Sequence, residues 1–428
     1  MNISKSFYKK ISNKSLKFYS LYFIFLISIL TFFISAFTIF VDPYFIFSNR
    51  RIEKVNKWRM RSDRASRSSK PLRFVLLKPK NIILGSSTAE AGLDPSHKKW
   101  RDSKGYNFAF GGGRLIEVES ALKLAIEYKI DEAILVTDFI RFFPHQNSNN
   151  LQISGIKSNT IGHFGNSKFL INWFNVIFSP VVIRDALDTV IYQNIDPEFS
   201  KSKHYLEANG SRAPFYMFDK VSKTGYQKAA ISALNKNVER WLNFCDTNYM
   251  DSSKVKFPGI TYFSNILKLA HQNQIKLTIL FPPIHVTAHM ALSKSNKYEL
   301  YEKWKKLLIS ENNLIAKQMN KEPYPFYDFG IINNFTLEEI PPDKSFSRMK
   351  WFTDPFHFTK NYGNKIMDYI FNEDSKNTNN FGHKIDLNSI ENHLKFNKIK
   401  LNSLMSDKNK FNSIISNLKL ETKSSCIK

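Results

Sequence analysis

The sequence predicts an α/β protein: a three-layer domain with a parallel sheet between helices, preceded by one N-terminal transmembrane helix and interrupted by a mainly helical insert. Two observations carry that reading. Short apolar runs alternate with amphipathic stretches of helix length, the pattern of parallel strands joined by crossover helices. Ahead of them, residues 18–41 contain no charged residue and are dense in Phe, Ile and Leu.

Residues 1–17 form a basic tail, with Lys5, Lys9, Lys10, Lys14 and Lys17 and no acidic residue. The 18–41 stretch exceeds the roughly 20 residues a helix needs to cross about 30 Å of hydrocarbon. It ends at Asp42-Pro43-Tyr44 and lacks the shorter core and small-residue cleavage site of a removable signal. Because long domains translocate largely regardless of charge, the short basic tail sets the topology. The tail is expected in the cytoplasm and everything after about residue 45 outside, in a bacterial cell membrane. No later segment approaches a second span. Residues 42–79, with Arg59, Arg61, Arg64, Arg67 and Lys70, read as a solvated juxtamembrane neck near anionic headgroups.

The α/β domain is expected over residues 80–372. Its first strand is Asn81–Leu84, followed by a strand at 106–110, a helix at 115–128 and the strand Glu132–Val136. The rhythm then breaks for an insert at about 140–259, with helices over 182–192 and 228–244 and a polar stretch at 196–212. Such an insert shapes a substrate entrance or serves as a structural cap. The alternation resumes with a helix at 262–272, the strand Lys276–Phe281, a helix at 298–319, a strand at 325–329 and a helix at 361–371. Residues 373–428, rich in Lys, Asn and Ser, read as a peripheral helical tail.

The net charge is +25, but the lysines are spread along the chain. No basic helix interleaved with aromatics and no zinc-ligand spacing is present in the sequence, which argues against a nucleic-acid partner. Anionic lipid or acidic glycan accounts better for the charge. Cys245 and Cys426 are the only cysteines; they exclude a disulfide framework and a cysteine-based zinc site, and leave a single bridge open. The histidines show no ligand spacing with carboxylates, so neither metal nor cofactor is expected.

Three segments could carry chemistry. The run Asn81-Ile82-Ile83-Leu84 stops at Gly85-Ser86-Ser87, a turn that would lift a serine hydroxyl to the carboxyl end of the sheet. A second strand end runs from Asn107 through Phe110 into Gly111-Gly112-Gly113-Arg114 and directly into a helix. Consecutive glycines there leave backbone N–H groups uncovered, as an oxyanion or a phosphate requires. The third is Asp354-Pro355-Phe356-His357 ahead of a helix. An Asp three residues before a His can hold one imidazole nitrogen while the other faces a serine. Alone, each segment also reads as an ordinary turn or a structural hydrogen bond; together they point to nucleophilic catalysis. His285, at the end of a strand in Phe281-Pro282-Pro283-Ile284-His285, is a further candidate for substrate contact. Asp328, also at a strand end, reads rather as a turn or capping residue.

The order of these blocks resembles the SGNH or GDSL-type hydrolases: Ser after the first strand, Gly after the second and Asp-x-x-His near the end. Here they read Gly85-Ser86-Ser87, Asn107-Phe108-Ala109-Phe110-Gly111-Gly112 and Asp354-Pro355-Phe356-His357. The resemblance covers roughly residues 80–140 and 260–372 and implies a flavodoxin-like three-layer fold. With the anchor and the phrases Ile83-Leu84-Gly85-Ser86-Ser87 and Gly92-Leu93-Asp94-Pro95, the chain looks like anchored proteins of surface-polymer assembly, of the alginate O-acetylation and lipoteichoic acid D-alanylation kinds. The resemblance implies Ser87 as nucleophile, His357 as base, Asp354 as its orienter, and the Ser87 and Gly112 amides as oxyanion donors. The chain departs from the pattern twice. Ser86 replaces the usual Asp, and Val136-Thr137-Asp138-Phe139 stands where Gly-x-Asn-Asp is expected. An ionised Asp138 cannot donate to an oxyanion, which leaves one donor unassigned.

The expected function is an extracytoplasmic serine acyltransferase or esterase acting on a cell-surface or exported polysaccharide, with a membrane-bound acyl-donor protein as a further partner. The rival is a catalytically inactive polysaccharide-binding or assembly subunit, favoured by Asp138 and the positive charge. Phosphoester chemistry at Gly111-Gly112-Gly113 is the weakest reading, since no phosphate-binding lysine motif accompanies it.

Overall fold

The computed structural model describes residues 3–98, 100, 105–143, 167–243, 250–251, 254–255, 257–343, 347–371, 381–406 and 411–420. Both cysteines lie outside them. Helix α1 (Ile3–Val41) comes first; its Leu16–Val41 portion, with mean hydropathy 2.6, is long and apolar enough to cross a membrane. Helix α2 (Ser66–Leu77) follows, then strand β1 (Asn81–Leu84), the short helix α3 (Ser87–Gly92), strand β2 (Gly105–Asn107), helix α4 (Leu115–Glu127) and strand β3 (Glu132–Val136).

The insert carries helices α5 (Ser167–Phe178), α6 (Pro180–Ile195), α7 (Pro197–Lys203), α8 (Pro214–Thr224) and α9 (Tyr226–Leu242), with a small hairpin of β4 (Met250–Asp251) and β5 (Lys254–Val255). Helix α10 (Ile260–Gln272), strand β6 (Lys276–Phe281), helices α11 (Val286–Lys294) and α12 (Tyr298–Gln318) and strand β7 (Phe326–Asp328) resume the alternation. The hairpin of β8 (Phe352–Asp354) and β9 (His357–Phe358) precedes helix α13 (Lys360–Phe371). Strand β10 (His383–Ile385) and helices α14 (Ile390–Ser406) and α15 (Asn412–Ile415) end the described chain.

The main sheet has the order β10-β7-β6-β3-β1-β2. Strands β2, β1, β3, β6 and β7 are mutually parallel, and β10 joins the β7 edge antiparallel. Parallel strands are covered on both faces, so they need near-continuous apolar sequence. Asn-Ile-Ile-Leu in β1 is buried at every position, and Leu-Thr-Ile-Leu-Phe in β6 is buried after its exposed Lys276. The strand order reverses between β1 and β3, where a crevice opens at the carboxyl ends of an open sheet. The turn carrying Ser87 leaves the sheet at that place.

Two stretches expected to be peripheral are built into the fold. The neck is not a solvated linker: Arg59, Lys70 and Arg73 are buried, and α2 turns Leu72 and Phe74 inward. Its basic residues find buried acids instead of solvent, Arg59 facing Asp42 and Lys70 facing Glu90. The tail beyond residue 372 supplies β10 to the main sheet, and α14 sends His393 to Asp328 at 2.8 Å. A strand of three residues has too little pattern to be read from sequence.

Candidate active site

Gly85 makes the turn out of β1 with φ +147°, and a Cβ there would stand 2.8 Å from the Ala89 Cβ and 3.0 Å from the Val136 carbonyl. Only glycine fits both the conformation and the gap. Ser86 then caps α3 in extended conformation, and Ser87 is the first residue of that helix. Further on, Phe108 and Phe110 keep the chain after β2 beside β1 by donating N–H bonds to the carbonyls of Ile83 and Gly85, at 2.8 and 3.3 Å. Asn107 ties this edge to the serine helix: its amide donates to the carbonyls of Ala89 and Leu93 at 2.9 and 3.0 Å.

The Asp354 and His357 motif is a hairpin, not a loop. Asp354 and His357 pair across the β8–β9 turn, and Asp354 Oδ1 accepts N–H bonds from Phe356 and His357 at 2.9 and 3.1 Å. The hairpin reaches Ser87 because α3 and α13 meet at two glycines. A Cβ on Gly363 would lie 1.8 Å from the Gly92 carbonyl oxygen, and one on Gly92 would lie 2.1 Å from the Phe358 ring. Gly363→Ala is therefore expected to push the hairpin away from α3, lowering turnover with every catalytic side chain intact and costing about 1–3 kcal/mol from overpacking. Thermal denaturation and ester hydrolysis measured on the same preparation check this; unchanged values for both would contradict it.

The three predicted side chains meet. His357 Nε2 lies 2.9 Å from Ser87 Oγ, and His357 Nδ1 lies 2.7 Å from Asp354 Oδ2. A carboxylate can only accept, so Nδ1 carries the proton and Nε2 is left to receive the serine hydrogen. Burial pushes the Asp354 carboxyl up, but His357 and the two hairpin amides outweigh it and hold the group below the usual carboxylate range. Asp354 thus stays ionised beside the imidazolium that would form.

Ser87, His357, Asp354, Gly112 and Asp138 line one cavity of about 640 Å³. Gly112 has φ +70° with open space at its Cα. The amides of Ser87 and Gly112 make no hydrogen bond among the described residues. Asp138, at the end of β3, accepts a hydrogen bond from Ser86 Oγ, so Ser86 and Asp138 are partners at the cavity floor. Gly111 faces away: a Cβ there would meet Tyr205, Arg212 and Glu90.

His285 does not reach this cavity. It is buried, with Nδ1 2.9 Å from Thr287 Oγ1 and Nε2 2.6 Å from the Glu338 carbonyl. Its backbone serves the site instead, donating to the Pro355 carbonyl at 2.9 Å and so steadying the hairpin turn. Asp328 accepts the Gly330 N–H at 2.8 Å, the expected turn role, and also pairs with buried Lys305 and with His393.

The insert, expected to shape an entrance or serve as a cap, forms a cavity wall, with Met217 and Val221 of α8 and Ala229 and Trp241 of α9. Two features were not legible in the sequence, the first being the charge of that wall. The cations Arg114, Arg141, Lys236 and Arg240 line the same space. Arg141 donates to the Gly112 carbonyl at 3.3 Å, and burial lowers its pKa. The second feature lies beneath α3. Glu90, fully buried, receives Lys70 at 2.9 Å, Arg212 Nη2 at 2.6 Å and Nε at 3.1 Å, and Tyr205 at 3.2 Å. Lys70 also donates to the Ala109 carbonyl. A charge inside Thr88-Ala89-Glu90-Ala91, on the inward face of a short helix, was the available signal: it requires a partner.

Acid should loosen this arrangement. Burial raises the carboxyls of Glu90 and Asp328, but Lys70 and Arg212 outweigh it for Glu90, and Lys305 and His393 for Asp328; both end below the usual range, as Asp354 does. A depressed carboxyl adds stability that is present above its unfolded value, near 4, and is lost as pH falls below it. The guanidinium midpoint is expected to drop between about pH 5 and pH 3, and a flat profile there would contradict the assignment.

No family model matches this chain, and no curated protein sequence matches it.

Proposed function

We propose that this protein is a membrane-anchored serine esterase or O-acyltransferase of the SGNH type, with a three-layer domain outside the membrane that modifies a cell-surface or exported polysaccharide. The observation that carries this is the unbroken chain from Ser87 Oγ through His357 to Asp354 inside a cavity. Ser87 Oγ attacks the carbonyl carbon of an acyl ester while His357 Nε2 takes its proton. The tetrahedral oxyanion lies against the Ser87 and Gly112 amides. Collapse breaks the ester C–O bond, His357 returns the proton to the leaving alcohol, and an acyl-serine remains. A sugar hydroxyl, deprotonated by His357, then attacks the acyl carbon, the Ser87 Oγ–acyl bond breaks and His357 returns the proton to Ser87; where water attacks instead, the enzyme acts as an esterase.

The Ser86 and Asp138 pair supports a two-donor oxyanion hole: Asp138 is occupied as an acceptor, and an ionised carboxylate has no hydrogen to donate to the oxyanion. Loss of one such donor typically costs about 10²–10³ in rate, so turnover is expected to be slow. The cations lining the cavity favour an acidic glycan as acceptor. They also favour the second reading, an assembly subunit that binds acidic glycan without chemistry.

The two readings separate on one preparation of the full chain in detergent. Covalent labelling by a fluorophosphonate, mapped to Ser87, together with acyl transfer from p-nitrophenyl acetate, selects the enzyme. Salt-sensitive binding of an acidic oligosaccharide that survives both Ser87→Ala and His357→Ala, with no labelling of the unaltered chain, selects the binding subunit.

A further inference from the structure

Helices α5 and α6 form a hairpin whose joint, Phe178-Ser179-Pro180, lies beside the apolar helix α1. Thr38, within the Leu16–Val41 portion, has its hydroxyl 3.0 Å from the Ile177 carbonyl, with the Ile34 and Ser35 carbonyls of its own helix at 3.0 and 3.1 Å. Beyond α1, Phe47 packs its ring on Trp173, and Tyr44 donates to Asp185 at 2.8 Å. Trp173 and Asp185 flank the joint on opposite arms, so both arms rise from a tip that points down α1.

The anchor is shaped to receive that tip. Residues 16–30 are exposed all round. From there on, Thr31, Ile34, Ser35, Thr38 and Val41 fall on one covered face, while Phe32, Phe33 and Phe40 stay exposed. Three of the covered residues are small, which lets helices approach closely in lipid. Thr31 to Val41 corresponds to about 15 Å of helix, half of a hydrocarbon core of about 30 Å.

The exposed surface of the tip is mostly apolar, with Asn175 the one exposed polar side chain between Trp173 and Ile183, and some of its backbone groups are paired. Phe174 is 60% and Val181 51% exposed, and the Phe174 and Phe178 rings touch with centroids 4.8 Å apart. Pro180 has no N–H, Ser179 Oγ accepts the Val182 N–H at 3.3 Å, and the Thr38 hydroxyl lies within hydrogen-bond reach of the Ile177 carbonyl. In hydrocarbon, each unpaired backbone group would cost several kcal/mol. Charge begins one turn higher, at Arg184, 61% exposed.

We infer that the α5–α6 hairpin is a second membrane-embedded element, a re-entrant wedge whose tip sits among the acyl chains of the outer leaflet against the upper half of the anchor. Its occupant is lipid, because the exposed tip continues the exposed surface of α1. The wedge fixes the domain on its anchor at two points and sets the height of the α8–α9 cavity wall above the bilayer. This rests on α1 being a membrane span.

The test uses the full chain, with Cys245→Ser and Cys426→Ser, in phosphatidylcholine–phosphatidylglycerol vesicles. A nitroxide is placed singly through Leu30→Cys, Phe174→Cys, Val181→Cys, Leu187→Cys or Ile195→Cys. Collision with oxygen and with a water-soluble nickel chelate gives depth. The labels at Phe174 and Val181 are expected to meet oxygen several-fold more, relative to nickel, than the label at Ile195, with Leu187 between them. A lipid-like signal at Leu30 with water-like signals at Phe174 and Val181 would overturn the wedge and leave the anchor standing. Water-like signals at Leu30 would overturn both. Labels at the tip that are immobilised and shielded from both quenchers would overturn the lipid assignment in favour of a second copy of the chain.

Discussion

Ser87→Ala is expected to reduce acyl-ester turnover by about 10⁴-fold or more and to abolish fluorophosphonate labelling, while leaving the melting temperature within a degree or two. The side chain is small, stands at the first position of α3 and faces the cavity, so its hydroxyl supports only the bond to His357. His357→Ala should cost a similar factor. The double variant should be no worse than either single one, because a nucleophile and its base act as a unit. Additive losses, or full labelling of Ser87→Ala, would remove Ser87 from the reaction.

Glu90→Gln should instead act on stability. Glu90 is fully buried among Lys70, Arg212 and Tyr205. Its removal leaves two cations in a low-dielectric interior, and breaking a buried pair in this way typically costs about 3–5 kcal/mol. The melting temperature should fall by several degrees. Activity should fall too, because Glu90 lies one turn along α3 from Ser87 and its partners come from α2 and from the segment between α7 and α8. Lys70→Met with Glu90 retained should cost less, since Arg212 still pairs with the carboxylate at two nitrogens. If Glu90→Gln melts like the unaltered chain, the cluster does not hold α3 in place.

The same contrast explains what was legible. Asn81–Leu84, Glu132–Val136 and Lys276–Phe281 coincide with observed strands because buried parallel strands must be continuously apolar. The helices expected at 182–192 and 228–244 are present as α6 and α9 with modest changes at their ends. Helices α5 and α8 were not anticipated, nor was the packing of the neck. Lys70 and Arg59 look like surface residues in a basic stretch, and only the acids that fold against them make burial tolerable.

For the site, residue type and order pointed to the Gly85-Ser86-Ser87 turn, the glycine run at 111–113 and the Asp354–His357 pair only in combination, since each alone also reads as an ordinary turn or structural hydrogen bond; the resemblance then implied Ser87 and Gly112 in particular. Sequence could not place His285. Its position at a strand end suggested the cavity, yet its ring is taken up by Thr287 and the Glu338 carbonyl. Nor could it connect the cations of α9 and of the β3 end to one wall, because Arg240 and Arg141 are far apart along the chain and meet only when the insert folds over the crevice. Local chemistry and periodicity are short-range properties, and the sequence by itself determined the core strands β1, β3 and β6, the apolar N-terminal helix and the nominated side chains. Distances across the chain were decided only by tertiary packing: the 2.9 Å between Ser87 and His357 through the contact of α3 with α13 at Gly92 and Gly363, and the closure of the charge cluster on Glu90 through α2 and the segment between α7 and α8.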